Sequence, residues 1–420
     1  MHAKPPNSSI TPKPTLRALL FLCATLCTLF CATTLANAQT GFVHTQGKSL
    51  VDGSGKPLHL RGTNLGDWLV PEGYMLKFEG GPQSPQQIEA LVQTILGPEE
   101  SQHFWQRYRA NYVTRDDIQF LKQAGFNSIR IPFHYKFFAH GSTEGFALID
   151  PVVAWAHEAG LYVVLDMHCA PGGQTGANID DSANYPWLFQ SQPSQAEFLD
   201  IWTRIAAHYS TNPTILGYDL LNEPLPAIAT LAPLHSLLEP LYKRATAAVR
   251  TVDPNHVIIL GGANWDGDFT VFGPPFDKNV MYTFHKYWMP SKKEAIQPYL
   301  DFREKYNVPL WLGESGENTD EWVQDFRELL EKDHIDWAFW PYKKMDSGSS
   351  PVTFAAPPQW EKITYYASHG WAKDEKHSVL KERPTPEEIQ AAFDGLLHNI
   401  QFAHSKPNPG YLKALGLTAP

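Results

Sequence analysis

Two apolar runs in this chain each end at a glutamate, and a pair of carboxylates is a recurring tool of acid–base and nucleophilic chemistry. The first run is Ile215-Leu-Gly-Tyr-Asp-Leu-Leu221, followed by Asn222-Glu223-Pro224. The second is Val308-Pro-Leu-Trp-Leu-Gly313, followed by Glu314. Each has the length and composition of a strand buried on both faces. Pro224 has no N–H and cannot extend a ladder, so Asn222 and Glu223 are expected at the carboxyl end of their strand. In a barrel of parallel strands that end carries the catalytic groups. Two glutamates from distant strands would then face each other across one mouth.

Positioning them takes a barrel, and the chain carries the parts for one. Strands are expected at residues 58–63, Asn127–Phe133, Leu161–His168, Ile215–Leu221, His256–Gly261, Val280–Tyr287, Val308–Glu314 and Ile335–Trp340. Helical patterns lie between most of them: Val113–Ala124, Pro151–Ala159, Pro193–Tyr209, Pro233–Val252, Pro298–Tyr306 and Glu321–Lys332. A closing helix is expected over Pro386–Leu397, with Thr385 as N-cap and Pro386 at its first position. Residues 42–60 read as a hairpin turning at Asp52-Gly-Ser-Gly55, placed to close the amino end. The stretch from Trp68 to about Gly97 reads as a long loop. Eight strands alternating with helices over roughly 340 residues predict an α/β fold, a (β/α)8 TIM barrel with an N-terminal β-hairpin and long βα loops.

That fold gathers the polar residues at strand ends into one mouth: Arg130, His168, Asn222, Glu223, His285, Tyr287, Glu314 and Trp340. Two histidines and two glutamates admit a metal site as a competing reading. The His-Glu-x-x-His spacing is absent, however, and a guanidinium in the same cluster would repel a cation, so no metal is expected. No Gly-x-Gly-x-x-Gly or phosphate-loop motif calls for a nucleotide or flavin, so no cofactor is expected either.

In order and at these strand ends, Ile129-Arg-Ile-Pro132, Leu221-Asn-Glu-Pro224, His285-Lys-Tyr287 and Trp311-Leu-Gly-Glu314 resemble glycoside hydrolase family 5, the cellulase-like retaining glycosidases. The resemblance runs from Leu60 to Trp340. Within the family, Asn64-Leu-Gly-Asp-Trp-Leu-Val70 and Asp166-Met-His-Cys-Ala-Pro-Gly-Gly-Gln174 are most similar to exo-β-1,3-glucanases and related β-glucosidases. The chain departs from them at Cys169 and over residues 176–187. The resemblance implies that Glu223 is the acid/base and Glu314 the nucleophile of a double displacement on a β-glucosidic bond. It implies that Arg130 and Tyr287 donate to Glu314, that Asn222 binds a sugar hydroxyl, that His285 sits by Glu223 and His168 by the sugar, and that Trp340 is a platform under the ring. Trp68, Trp187, Trp265 and Trp288 are loop aromatics, open to a role in sugar subsites or in packing. An endo-β-1,4-glucanase or β-mannanase on the same machinery is the alternative, and a non-catalytic glycan-binding barrel a remoter one.

The 420 residues are 43% hydrophobic and 19% charged, which supports a large core. Residues 1–38 read as a secretory signal: Lys4, Lys13 and Arg17, then a mostly apolar stretch, then Ala36-Asn-Ala38 as the cleavage pattern. A retained membrane anchor is the alternative there. Residues 39–420 are expected to be one catalytic domain, secreted and monomeric. Three of the four cysteines lie in the signal, so Cys169 stands alone and no internal disulfide can form. Losing the signal's three positive charges takes the net charge from −10 to −13. Such a chain is a poor partner for nucleic acid or anionic membrane and is compatible with a neutral polysaccharide.

Overall fold

Eight short runs, most of them apolar and buried on both faces, become eight parallel strands that close on themselves. In this computed structural model, which describes residues 1–4, 41–177, 179–373 and 375–420, they are β1 (Arg61–Asn64), β2 (Ser128–His134), β3 (Tyr162–Cys169), β4 (Ile215–Asp219), β5 (Val257–Gly261), β6 (Val280–His285), β7 (Leu310–Glu314) and β8 (Asp336–Phe339). Each pairs with the next in sequence, and β8 closes onto β1 through Trp337 opposite Arg61. This is the expected (β/α)8 barrel. Apart from its first four residues, the proposed export signal lies outside the described residues. Among the described residues, no helix is long and apolar enough to cross a membrane.

The amino end is plugged. Three short antiparallel strands, His44–Gln46, Ser49–Val51 and Pro57–Leu58, form a small sheet. Val43 and Leu50 pack in one buried cluster with inward-facing Tyr162, Val164, Met281 and Trp311 of the barrel. Pro57–Leu58 belongs to this sheet, so the first barrel strand begins only at Arg61, later than expected.

Around the barrel lie amphipathic helices, and their caps are written in the sequence. Arg115–Ala124 starts at a capping box between Thr114 and Asp117, and Pro386–Asn399 at one between Thr385 and Glu388. Three expectations need correcting. The stretch up to Gly97 is not all loop: Pro85–Leu96 is a helix capped by the Ser84 side chain, and Pro98–Tyr112 is another. Its apolar positions Ile88, Leu91, Val92 and Ile95 are all buried, at true helical spacing. The helix expected from Pro151 runs Glu144–Ala159 with Pro151 inside it. The segment expected to be helical from Pro233 is a 3-10 turn through Leu234, then an α-helix from His235 to Arg250.

Register shifts at the carboxyl rim decide which side chains reach the mouth. On β7, Trp311 belongs to the interior cluster and Leu312 to the outer one, so strict alternation would turn residue 314 outward. The pairing with β6 slips between Leu312 and Glu314, which puts Glu314 opposite His285. A second slip, at the start of β4, brings Asp219 opposite Asp166. A third lies between Phe133 and His134 on β2. Bulges of this kind at a barrel rim re-aim side chains.

Candidate active site

At the carboxyl ends of the strands opens a cavity of about 610 Å3, within the size range of small-molecule sites. Arg130 lies beneath it, fully buried on β2. Its Nε donates to Asp219 (2.9 Å), Nη1 to Glu314 (2.6 Å) and Asn64 (3.1 Å), and Nη2 to Asn222 (2.9 Å). Asp166 Oδ1 is 3.1 Å from Nη2. One guanidinium thus ties together β1, β2, β3, β4 and β7. Burial pushes the carboxyls of Asp166 and Asp219 up to about 7 even against its pull.

Glu314 is the last residue of β7. Besides Arg130 on Oε1, its Oε2 accepts from the Tyr287 hydroxyl (3.1 Å). Glu223 is not on its strand, which stops at Asp219, so the expected run to Leu221 was too long. It sits four residues further on, in the left-handed region at φ +43. Its Oε1 is 2.9 Å from His285 Nδ1, and its backbone N–H donates to Asp266 Oδ2 (3.1 Å). Burial raises the Glu223 carboxyl to about 7, with His168 and Arg130 pulling the other way. One oxygen of Glu223 and one of Glu314 lie within 4.8 Å of each other.

The two histidines are neutral. Burial pushes His168 down to about 4 and His285 to about 3. His168 Nδ1 donates to Asp166 Oδ2 (2.7 Å), which leaves Nε2 as the acceptor facing the Asn222 amide at 3.3 Å. Glu223, His285 and Glu314 could bracket a cation. Arg130, 2.6 Å from Glu314, already supplies the positive charge that such an ion would bring.

All eight strand-end residues named from the sequence come together here; Arg130 sits below the cavity and the other seven line it. Trp340 lies parallel to the His168 ring (8° between planes), and its indole N–H donates to the Tyr74 hydroxyl (2.7 Å). The four loop tryptophans divide. Trp265 and Trp288 line the cavity, and Trp288 is 72% exposed. Trp68 does not line it: it is 3% exposed in the core, its N–H spent on the Arg109 carbonyl. Trp187 is not among the lining residues either; it is 49% exposed and packs against Tyr185.

Several lining residues escaped sequence reasoning. Glu72 and Tyr74 come from the loop after β1, Gln174, Thr175 and Asp180 from the loop after β3, and Glu317 from the loop after β7. Glu72 Oε1 and Glu317 Oε1 are buried oxygens without a hydrogen-bond partner among the described residues. Burial, then the charges of Glu314 and Asp67, holds the Glu72 carboxyl well above its ordinary range. Asp166 and Asp219 did carry a signal: a charge inside a doubly buried strand requires a partner, and Arg130 was the one available.

The family model described as cellulase, glycosyl hydrolase family 5, matches residues 92–346. A β-xylosidase of Phanerodontia chrysosporium is 30% identical over 345 residues, 72% of this chain and 71% of its own length. A probable glucan endo-1,6-β-glucosidase B of Aspergillus flavus is 26% identical over 80% of this chain and 90% of its own. Endoglucanase C of Acetivibrio thermocellus is 25% identical over 58% and 88%. Among solved structures, an endogalactoceramidase shares the fold, with a TM-score of 0.59 and 18% identity over 90% of this chain and 86% of that one. A family match spanning more than half of the chain, on a closed (β/α)8 barrel, means that the chain belongs to glycosyl hydrolase family 5 and is a glycoside hydrolase.

Proposed function

We propose that this chain hydrolyses β-glucosidic bonds, in a β-glucan or β-glucoside, with retention of configuration through a covalent glycosyl-enzyme. The observation that carries the reading is the approach of the Glu223 and Glu314 carboxyls to within 4.8 Å in one cavity. Retaining enzymes hold the pair about 5–5.5 Å apart, whereas inverting ones leave about 6.5–9.5 Å for a water. In the first step Glu314 attacks the anomeric carbon as the bond to the leaving oxygen breaks, and Glu223 gives that oxygen its proton. In the second step Glu223, now a carboxylate, takes a proton from water as the water attacks the same carbon and releases Glu314. Arg130 and Tyr287 hydrogen-bond the two oxygens of Glu314 and hold it in place, and the dry setting of Glu223 keeps its proton near neutral pH.

The remaining walls suit a sugar. Trp340 offers a flat apolar face for C–H bonds, and Asn222 and His168 lie beside it for hydroxyls. The unpartnered oxygens of Glu72 and Glu317 want O–H donors, which a pyranose ring supplies. Trp265 and Trp288 add two further aromatic faces to the cavity wall. Residues 1–38 act as an export signal in this reading, and the secreted chain works as a monomer. A β-xyloside is the second reading, favoured by the relative at 30% identity.

Glu314→Gln should abolish turnover while the fold, read by circular dichroism, survives. Glu223→Gln should cut turnover of poor leaving groups by about 10²–10⁴-fold. On dinitrophenyl glycosides, which need no acid, it should still form the glycosyl-enzyme in a burst. Near-full activity of Glu314→Gln, or an equal loss on both leaving-group classes for Glu223→Gln, would remove the assignments. Aryl β-glucoside and β-xyloside, with soluble β-1,3-, β-1,4- and β-1,6-glucans and mannan, separate the substrates.

A further inference from the structure

The turn that carries Glu223 is held by a side chain that no step above uses. Glu223 and Leu225, one on each side of Pro224, both sit in the left-handed region (φ +43 and +54). Neither is glycine, so each conformation is costly and lasts only where the surroundings hold it. Gln174, fully buried in the loop after β3, supplies two of the holds. Its side-chain Nε2 donates to the Asn222 carbonyl (3.0 Å), immediately before Glu223. Its own backbone carbonyl accepts the N–H of Leu225 (3.1 Å), immediately after Pro224. One residue thus closes on both ends of the Glu223-Pro224 dipeptide.

The clasp is itself rigid. The second hydrogen of Nε2 goes to the His168 carbonyl (2.7 Å), and Oε1 accepts the N–H of Ala170 (3.0 Å). Two carbonyls on one side and an N–H on the other leave the amide a single orientation. Behind it the Asp180 carboxylate accepts the backbone N–H groups of Gln174 (2.7 Å) and Thr175 (2.8 Å). Gly173 lies at φ +73 with Ser182 packed against it, where a Cβ would stand 2.0 Å from Ser182 Oγ. From the opposite side the loop after β5 takes hold: the Leu225 carbonyl accepts the N–H of Asn264 (2.8 Å), and the Glu223 N–H donates to Asp266. Asn222 has its own tie, from its side-chain oxygen to Arg130, so the grip of Gln174 bears chiefly on the residues that follow.

We propose that Gln174 is a positioning residue for the acid/base: by clasping Asn222 and Leu225 it fixes the left-handed turn that aims the Glu223 carboxyl at the leaving oxygen. This rests on the reading of Glu223 given above. Gln174 transfers no proton. Released from it, residues 223–225 relax toward ordinary backbone and carry the carboxyl off its line. A misplacement on the order of 1 Å costs a proton transfer about 10²-fold. The loss therefore falls on substrates whose leaving oxygen needs that proton, and spares those whose leaving group departs without one.

The experiment compares kcat/KM on phenyl and dinitrophenyl β-glycosides of one sugar for wild type, Gln174→Met and Glu223→Gln. Methionine keeps the length of glutamine and removes its donors. Because kcat/KM covers only the steps up to the glycosyl-enzyme, the work of Glu223 in the second step does not enter. Gln174→Met should lose about 10–10²-fold on the phenyl glycoside and far less on the dinitrophenyl one. An equal loss on both, which a merely structural role would give, or no loss on either, would overturn the proposal. Should Gln174→Met fail to fold, amide hydrogen exchange of the wild type decides. The Leu225 N–H should then exchange as slowly as the amides of β4, and exchange at the rate of an open loop would reject the clasp. Glu223→Gln keeps the two questions apart. If it loses both substrates alike, the acid/base assignment falls. If it splits them and Gln174→Met does not, only the role of Gln174 falls.

Discussion

Glu223, the proposed acid/base, lies where its surroundings disfavour its charge. Burial raises the carboxyl to about 7, so at pH 6 it holds the proton that the proposed first step requires. The sign follows directly: kcat/KM should fall as pH rises through about 7, roughly tenfold per unit beyond the limb. A rate profile on an aryl β-glucoside between pH 4 and 9 reads this, and a flat line from 7 to 9 would contradict it. The same shift acts against the fold. Between about pH 4 and 7 the native Glu223, Asp166 and Asp219 hold protons that the unfolded chain has released. Their contribution to stability therefore declines across that window and stays low above it. At this scale the sequence was readable where a charge interrupted an apolar run, as at Arg130, Glu223 and Glu314. It was not readable at Glu72, Glu317 or Asp266, which lie in loops without periodicity. The loop tryptophans offered no rule either: Trp68 and Trp265 look alike in sequence, and only the packing separates a core indole from a cavity wall.

Elements were legible in proportion to their periodicity. The strands β2, β3, β5 and β8 lie within a residue or two of expectation, because continuous apolar runs bounded by turn residues have few other solutions. The helix Pro85–Leu96 was missed although its Ser-Pro start and its apolar spacing are both present, hidden inside a stretch read by its aromatic residues. The rim bulges could not be read at all. Alternation alone turns residue 314 away from the mouth, and only the mismatch between β6 and β7 brings it back. The plug at the amino end is the element with the clearest separable role. Leu50 is buried against the barrel floor, far from the catalytic rim. Leu50→Ala should cost about 2–5 kcal/mol by denaturant titration. Below the new melting transition KM and kcat should be unchanged; a shift in KM would mean that the floor and the mouth communicate.

On the scale of the whole molecule, residues 39–420 make one compact unit whose two ends do different work. The floor is apolar, while the rim gathers carboxyls, among them Glu72, Asp166, Asp219, Glu223, Asp266 and Glu314. The guanidinium of Arg130 reaches three of them, Asp166, Asp219 and Glu314. A hub that draws on five strands cannot be half made. With any one of them undocked, a cation or an anion would be stranded in oil, which costs several kcal/mol. Competence and closure should therefore arrive together during refolding and vanish together in urea. Turnover and tryptophan fluorescence are expected to trace a single curve with one midpoint, and a species that keeps its barrel while losing its activity first should not accumulate.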